Sequence, residues 1–317
     1  MKDNLELEAE AFDHQIIERV RNGHVPDLRF STPCDYFYNN SWRRPEFVAL
    51  DMGEQFARIQ SSLTQHFGSR PLRVLEVGCG PGFISLEIAR AGHSVIGIDL
   101  SPECVRVAND FASKDPLINK RGSLEYVTGD FFTDKHLPAI SFDAVVFVGA
   151  LHHFKEQEMV MQRVHDLLVP GGLAIAHEPT RDRVSMSNAT LFHLLTRLLA
   201  AGGGFFEKFE LPKSSETLQK EVNGVLNKMR YESESGEKLQ SVNDNDAGHP
   251  EMTNALRARF QEIEYDEVSG FYHEVIGGLR FSESLNAEVA KYIREIDRLM
   301  CSTGVVSSTE FYFVGKK

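Results

Sequence analysis

Apolar residues recur along this chain with two different spacings, and the change from one to the other divides it into segments. Near the N-terminal end Phe12, Ile16 and Val20 follow one another at four-residue intervals among charged neighbours. This one-sided pattern predicts an amphipathic helix, and a second helical pattern precedes Gly68. We therefore expect residues 1–69 to form a helical cap.

Between Leu72 and Pro179 short apolar runs alternate with longer helical patterns, which is typical of a parallel sheet covered by helices on both faces. One helix start is well marked, because Ser101 can cap it and Pro102 suits the first helical position. The sequence therefore predicts a core domain over 70–180. Its expected strands are 73–77, 94–98, 124–127, 144–148 and 173–176.

After the core the pattern changes again, and we expect 181–260 to be a mostly helical insertion that caps the site. A buried helix is predicted there by four leucines, Leu191, Leu194, Leu195 and Leu198. The stretch 231–250 is rich in Glu, Ser, Asp and Asn, with few apolar residues to bury, so we expect a mobile loop.

Strand-like runs return at 263–268 and 310–314, with a charged helical pattern between them. We expect 261–317 to complete the sheet. The sequence therefore predicts an α/β fold with a doubly wound, Rossmann-like, seven-stranded and mostly parallel sheet that carries helical cap segments.

Composition and charge narrow the function classes. The net charge is −12, which disfavours a nucleic acid partner because phosphate backbones attract basic surfaces. The four cysteines show no CxxC pairing, which favours a reducing compartment. No signal-like N-terminus and no run of about 18 apolar residues is found, so we expect a cytoplasmic protein with no membrane partner.

A glycine-rich loop follows the first expected strand and precedes a helix. Gly78, Gly80 and Gly82 lie there, where backbone can approach a ligand without obstruction by Cβ atoms. Asp99 ends the second strand and can accept hydrogen bonds from the hydroxyls of an adenosine ribose. A dinucleotide loop would need glycine at position 83, which is Phe83, so NAD is disfavoured.

Four segments in order carry a family resemblance: 76–82 (EVGCGPG), 97–101 (GIDLS), 129–131 (GDF) and 142–147 (FDAVVF). They resemble successive motifs of class I S-adenosylmethionine-dependent methyltransferases, in the style of the small-molecule, ubiquinone-biosynthesis-type branch. That branch often carries Leu-His-His after strand 4 and Pro-Gly-Gly before strand 5, as at 151–153 and 170–172 here. The resemblance implies S-adenosylmethionine as cofactor and S-adenosylhomocysteine as product.

The resemblance also assigns residues to the cofactor. It implies that the glycine loop faces the methionine part, that Asp99 holds the ribose, and that Asp130 and Phe131 flank the adenine. Glu76 would orient the loop and attract the cofactor's positive charge. The full expected set is Glu76, Gly78, Cys79, Gly80, Gly82, Asp99, Leu100, Asp130, Phe131, Gly149 and Leu151.

Proton transfer matters if the acceptor is a hydroxyl group, and titratable residues follow two expected strands. His152 follows the fourth expected strand, while His177 and Glu178 follow the fifth, so all three are candidate catalytic residues. His177 and His152 are the preferred bases, with Glu178 as a further base or as the residue that orients His177. No metal is expected, since the spacing of histidines and acids matches no ligand motif.

The acceptor pocket is less well marked by the sequence. Its expected residues are Tyr38, Arg43, His153, Arg181 and Tyr272. We predict a methyltransferase that acts on a small molecule, with an oxygen acceptor on a sugar-type or specialised metabolite preferred. A catalytically silent binding module and an NAD-dependent dehydrogenase are the alternatives.

Overall fold

A seven-stranded sheet lies at the centre of the structure, a computed structural model that describes residues 3–135, 137 and 141–317. The strands are β1 (Arg73–Val77), β2 (Ser94–Asp99), β3 (Leu124–Thr128), β4 (Phe142–Val148), β5 (Leu168–Pro179), β6 (Gln261–Val268) and β7 (Glu310–Lys316). Their order is β3-β2-β1-β4-β5-β7-β6. The first five strands pair in parallel, and β7 runs antiparallel to both neighbours. The expected doubly wound sheet is confirmed.

Helices cover both faces of this sheet. They are α1 (Asn4–Arg21), α2 (Pro45–Leu50), α3 (Met52–Phe67), α4 (Phe83–Arg90), α5 (Pro102–Ser113), α6 (Gln157–Leu167), α7 (Met186–Ala201), α8 (Ser215–Met229), α9 (His249–Arg259), α10 (Tyr272–Ile276) and α11 (Glu283–Ser302). As predicted, the Ser101 hydroxyl caps α5 by accepting the Cys104 N–H at 2.9 Å. Among the described residues, no helix combines the length and the apolar content needed to cross a bilayer.

Successive apolar residues of each central strand point alternately to the two faces of the sheet. Val74 and Val146 pack with α3 and α4 on one face, while Leu75 and Val145 pack with α6 and α9 on the other. This period of two is the expected geometry of a strand buried on both sides. Both faces of the central strands are therefore core.

The inserted segments differ from the sequence-based expectation in two respects. The helix α7 is not buried all round, since Leu194 and Leu198 are 53% and 61% exposed. The stretch expected to have little to bury contains Ser241, Asp244 and Ala247, which are all buried. Polar residues made it look like free loop, but they contact α1 and the turn after β4.

A buried arginine ties the N-terminal cap to the core. The Arg90 side chain is fully shielded from solvent and contacts three carboxylates, those of Asp27, Glu87 and Asp115, at 2.6, 2.6 and 2.9 Å. Asp27 belongs to the segment after α1, Glu87 to α4 and Asp115 to the turn after α5. One guanidinium therefore joins three separate parts of the chain.

Replacing Arg90 by methionine should destabilise the fold strongly. The change leaves the buried carboxylate of Asp27 without a cation among the described residues and weakens the pairing of Glu87 and Asp115; breaking a buried pair in this way typically costs about 3 to 5 kcal/mol. Urea unfolding followed by circular dichroism measures the loss. The matched control is Arg106→Met, which breaks the largely exposed Arg106–Glu103 pair and should change stability little; equal effects in both variants would contradict this account.

Candidate active site

The glycine loop between β1 and α4 contains three glycines, and the space around each of them differs. Gly78, Gly80 and Gly82 all have positive φ, at 69°, 51° and 82°, where residues with a Cβ are strained. A Cβ on Gly78 would lie 2.5 Å from the Ala150 Cβ, and one on Gly82 would lie 2.5 Å from the Tyr126 ring. A Cβ on Gly80 would meet nothing within 4 Å. Gly80 therefore borders open space, while its neighbours permit close packing beneath it.

Asp99 holds the loop in place at the end of β2. Its carboxylate accepts the Gly80 N–H at 2.7 Å and the Ser101 N–H at 2.8 Å. A carboxylate offers about four lone-pair sites, so it keeps acceptor capacity for the two hydroxyls of a ribose. Burial raises its pKa above the ordinary value, and hydrogen bonds from a ligand would favour the ionised form.

Glu76 and Cys79 lie beneath the loop. Glu76 is 3% exposed and accepts a hydrogen bond from the Ser85 hydroxyl of α4. Burial raises the pKa of Glu76 to about 8, so this side chain is mostly a neutral acid at pH 7 in the free chain. The expected attraction between its charge and a cofactor cation is therefore weakened. Cys79 is buried against α5 residues such as Val105.

The adenine end of the expected site is only partly as the resemblance implies. Asp130 follows Gly129, whose N–H donates to the Asp99 carbonyl at 2.9 Å, so Asp130 does lie near Asp99, where Leu100 is half-buried. Phe131, however, is 3% exposed and packs in the main core, edge-on to Phe147. The expectation that Phe131 flanks the adenine conflicts with this burial, which makes it a core residue.

The turn after β4 forms the opposite wall of the cleft. Gly149 has φ of 60° and, like Gly80, would place a Cβ in open space. Glu178 fixes this turn from β5, since its buried carboxylate accepts the Ala150 N–H at 3.0 Å and the His152 N–H at 3.3 Å. Leu151 is fully buried in the core.

Two adjacent histidines join the same turn to the caps. His152 Nδ1 lies 2.8 Å from Glu178, and its Nε2 lies 3.6 Å from Asp244. His153 Nδ1 lies 2.8 Å from Glu8 of α1. Although burial opposes it, the carboxylates of Asp244 and Glu178 raise the pKa of His152. Glu178 therefore orients His152, and not His177 as the sequence suggested.

This group is also the place where a cation would fit. His152, His153 and Asp244 each offer one ligand atom, and these atoms lie within 4.8 Å of one another. Spacing along the chain could not reveal the group, because Asp244 is remote in sequence from the two histidines. The expectation that no metal is needed stays a prediction.

A second histidine site lies at the end of β5. His177 is 8% exposed, its Nε2 lies 3.0 Å from Glu310 of β7, and its Nδ1 has no partner among the described residues. Although burial opposes it, His273 and His177 lower the pKa of Glu310 to about 2. No motif in the sequence marks Glu310, which reaches His177 only through the pairing of β5 with β7.

His177 lines a cavity of about 720 Å³. Tyr272 lines it too, and its hydroxyl lies 3.4 Å from the buried carboxylate of Asp51. The volume is within the ~300–1,000 Å³ of ordinary ligand pockets. Thus the structure brings together two residues, His177 and Tyr272, that the sequence had proposed separately.

Other expected acceptor residues lie elsewhere. The buried guanidinium of Arg43 donates to the carbonyls of Gly277 and Leu279 at 2.6 and 2.5 Å, so Arg43 ties the N-terminal cap to α10. Tyr38 is 53% exposed on the cap surface. Arg181 lies 3.6 Å from Glu274 and stacks on the Tyr231 ring at 4.3 Å.

These features fit a cofactor that joins an adenosine to a small polar group. Open space borders the backbone at Gly80 and at Gly149. The two turns follow the neighbouring parallel strands β1 and β4, where sheets of this kind open a crevice for a ligand, and Asp99 retains acceptor capacity beside Gly80. Because Ala150 lies against Gly78, the two walls are held at a fixed separation. The residues present therefore match S-adenosylmethionine, as the resemblance implied.

Comparison with known proteins agrees with this description. The family model described as a methyltransferase domain matches residues 75–176. The mitochondrial ubiquinone biosynthesis O-methyltransferase of Schizosaccharomyces pombe is 31% identical over 159 residues, covering 50% of this chain and 57% of that protein. A sterol 24-C-methyltransferase of Gibberella zeae is 33% identical over 148 residues, covering 44% of this chain and 38% of that protein. The chain thus spans about half the length of the curated relatives it matches.

Solved structures extend the likeness to nearly the whole chain at the level of the fold. A Galdieria sulphuraria protein proposed to be a sarcosine dimethylglycine methyltransferase has a TM-score of 0.53 at 12% identity, covering 96% of this chain and 98% of that one. The cyclase SpnF has a TM-score of 0.51 at 15% identity, covering 98% and 94%. With the matched domain, its ordered motifs and the open cleft, residues 75–176 belong to the class I S-adenosylmethionine-dependent methyltransferase superfamily, whose cofactor is S-adenosylmethionine.

Proposed function

We propose that this chain transfers the methyl group of S-adenosylmethionine to an oxygen atom of a small, polar acceptor. The observation that carries the proposal is the position of His177, a buried histidine with one unpartnered nitrogen. It lines a ligand-sized cavity and its carbonyl accepts the N–H of Gly149, which borders the cofactor cleft. A titratable group therefore lies at the edge of this cavity, on the strand that also holds the turn beside the proposed cofactor site.

The cavity supports a polar acceptor. Its lining includes Asp51, Glu54, Arg58, Tyr272 and Arg294 beside His177. Several of these charges are already paired within the protein, as Arg58 is with Asp266 at 3.0 Å. A small molecule with several hydroxyl groups can exchange hydrogen bonds with such a wall, whereas a large apolar one would leave these polar groups without partners.

Glu310 prepares His177 to act as the general base. Because the Glu310 carboxyl stays ionised at neutral pH, it accepts a hydrogen bond from the N–H of His177 Nε2. The neutral imidazole then carries its lone pair on Nδ1. That nitrogen is the one without a partner among the described residues, so it is free to take a proton from an acceptor hydroxyl.

His152 and Glu178 fit a different role. Both nitrogens of His152 face carboxylates, and its raised pKa favours the protonated form. A histidine that already holds its proton is a poor base. We therefore assign His152, with Glu178, to holding the turn after β4, and keep His177 as the base.

The chemistry requires little else from the protein. When bound, S-adenosylmethionine supplies an electrophilic methyl group, and the acceptor oxygen must lie in line with the breaking bond. The cap segments would exclude water from this line, since α1 and the segment around Asp244 both contact the turn after β4. Alignment and dehydration supply much of the acceleration in such sites.

The relatives and structural neighbours are named for more than one kind of reaction. The curated relatives include proteins named for O-methylation and for C-methylation, and a cyclase shares the fold. We favour oxygen because a base beside the cleft is needed to remove a hydroxyl proton. The cytoplasmic location expected from the sequence stays a prediction.

Filling the open space at Gly80 should abolish cofactor binding. In Gly80→Arg the new side chain meets no protein atom at its Cβ and extends into the cleft, so calorimetric titration with S-adenosylhomocysteine should detect no binding. Gly304→Arg is the matched control, because Gly304 also has positive φ, at 72°, and open space. Retained binding in Gly80→Arg would show that the cofactor occupies another part of the molecule.

Removing the proposed base should separate turnover from binding. We expect His177→Gln to bind S-adenosylhomocysteine normally and to lower kcat by about 10²- to 10⁴-fold, with Glu310→Gln showing a smaller loss. The assay measures S-adenosylhomocysteine release with the acceptor found by screening catechols, phenols, sugars and amines.

Two controls make this result interpretable. His14→Gln changes an exposed histidine of α1 and should leave turnover unchanged. A chelator added to the wild-type assay separates base-assisted transfer from help by an ion at His152, His153 and Asp244. Full turnover in His177→Gln would remove His177 from the mechanism.

A further inference from the structure

One guanidinium at the cofactor end of the molecule has no anionic partner. Arg19, in the last turn of α1, is half-buried and donates to the Gln15 side chain at 3.0 Å. In the described part of the chain, no carboxylate lies within ion-pair distance of it. Burial lowers its pKa, because water no longer fully solvates the charge. A partly dehydrated cation of this kind is suited to binding an anion from outside the protein.

Arg19 lies on the helix that contacts the ribose end of the proposed cofactor site. One turn earlier, Ile16 packs with Cys104 and Val107 of α5. Asp13 of the same helix accepts hydrogen bonds from the Ser101 hydroxyl at 2.5 Å and the Glu103 N–H at 3.0 Å. Ser101 is two residues from Asp99, so α1 is anchored at the ribose end, and the charge of Arg19 is felt at Cys104 and at Tyr231 of the cap.

The glycine loop has no free N–H to offer an anion. Gly78 and Cys79 both donate to the Ile98 carbonyl, Gly80 donates to Asp99, and Gly82 donates to the Cys79 carbonyl. The remaining loop residue is a proline, which has no N–H. A side-chain cation would complement the partial positive charge of the α4 N-terminus in binding a carboxylate that enters beside this loop.

Three of the other arginines near the proposed site and the N-terminal cap are already engaged. Arg43 donates to two carbonyl groups, Arg44 pairs with Asp35 at 2.7 Å, and Arg181 lies 3.6 Å from Glu274. The nearby His24 cannot help, since burial and the charge of Arg19 lower its pKa to about 3. Arg19, by contrast, donates one hydrogen bond to Gln15 and lies over the Phe37 ring at 6.0 Å, so its half-buried guanidinium keeps donors for a ligand.

We propose that Arg19 binds the carboxylate of the methionine part of S-adenosylmethionine. Its planar guanidinium can donate two parallel hydrogen bonds to a carboxylate, an arrangement that a lysine cannot reproduce. This inference rests on the proposed function, because it concerns the same cofactor. It adds a cofactor-binding residue from the N-terminal cap, outside the segment that resembles the family.

The test compares two ligands that differ in the amino-acid part. S-adenosylhomocysteine carries the carboxylate, whereas 5′-methylthioadenosine keeps the adenosine and sulfur and lacks it. By calorimetric titration, Arg19→Met should weaken S-adenosylhomocysteine about 10- to 100-fold, the loss of a charge-assisted contact. Binding of 5′-methylthioadenosine should stay unchanged. Arg19→Lys should lose part of the same affinity.

Arg21→Met is the matched control, because Arg21 is an exposed arginine on the same helix, and neither ligand should bind it differently from wild type. Equal weakening of both ligands in Arg19→Met would overturn the proposal, since Arg19 would then act through the shape of the cleft. Unchanged binding of both would overturn it as well. A wild-type chain that binds neither ligand would instead remove the proposed function, and the inference with it.

Discussion

The turn after β4, at the proposed active site, depends on the hydrogen bonds that the buried carboxylate of Glu178 accepts. From β5 it accepts two N–H groups and one imidazole of the turn after β4. That turn is the surface against which Gly78 packs and to which α1 and the segment around Asp244 attach. Without this carboxylate the turn would lose its hydrogen bonds to β5, and the distance between the turn and the glycine loop would no longer be held.

The two histidine sites show how neighbouring groups divide their roles. His152 is held between carboxylates on both ring nitrogens, while His177 has a carboxylate on one nitrogen only. The first arrangement stabilises a cation and suits a structural connection between core and cap. The second fixes a tautomer and leaves a lone pair available. Residue type alone does not distinguish them, because the difference lies in the residues opposite each ring.

Residues whose role depends on neighbours in sequence could be predicted from the sequence. Residues whose role depends on partners from distant segments could not. The glycines, Asp99 and the capped start of α5 are signalled by residues within a few positions of one another. Glu310 and Arg19 escaped notice because their significance depends on partners from distant segments. Phe131 and Arg43 show a related limit of residue type, since an aromatic ring or a guanidinium suits a ligand site and a packed interior equally; in the structure both side chains are buried, and their predicted ligand roles stay predictions.

The position of β7 in the sheet has a consequence for how the chain acquires its structure. This strand inserts between β5 and β6, and it brings Glu310 to a histidine 133 positions earlier in sequence. During synthesis one row of backbone groups on β5 stays unpaired until β7 has been made. An unpaired strand edge of this kind can pair with other molecules. The pair of His177 and Glu310 therefore forms only when β7 enters the sheet between β5 and β6, and until then a nascent chain exposes an unpaired edge of β5 together with a histidine that no carboxylate orients.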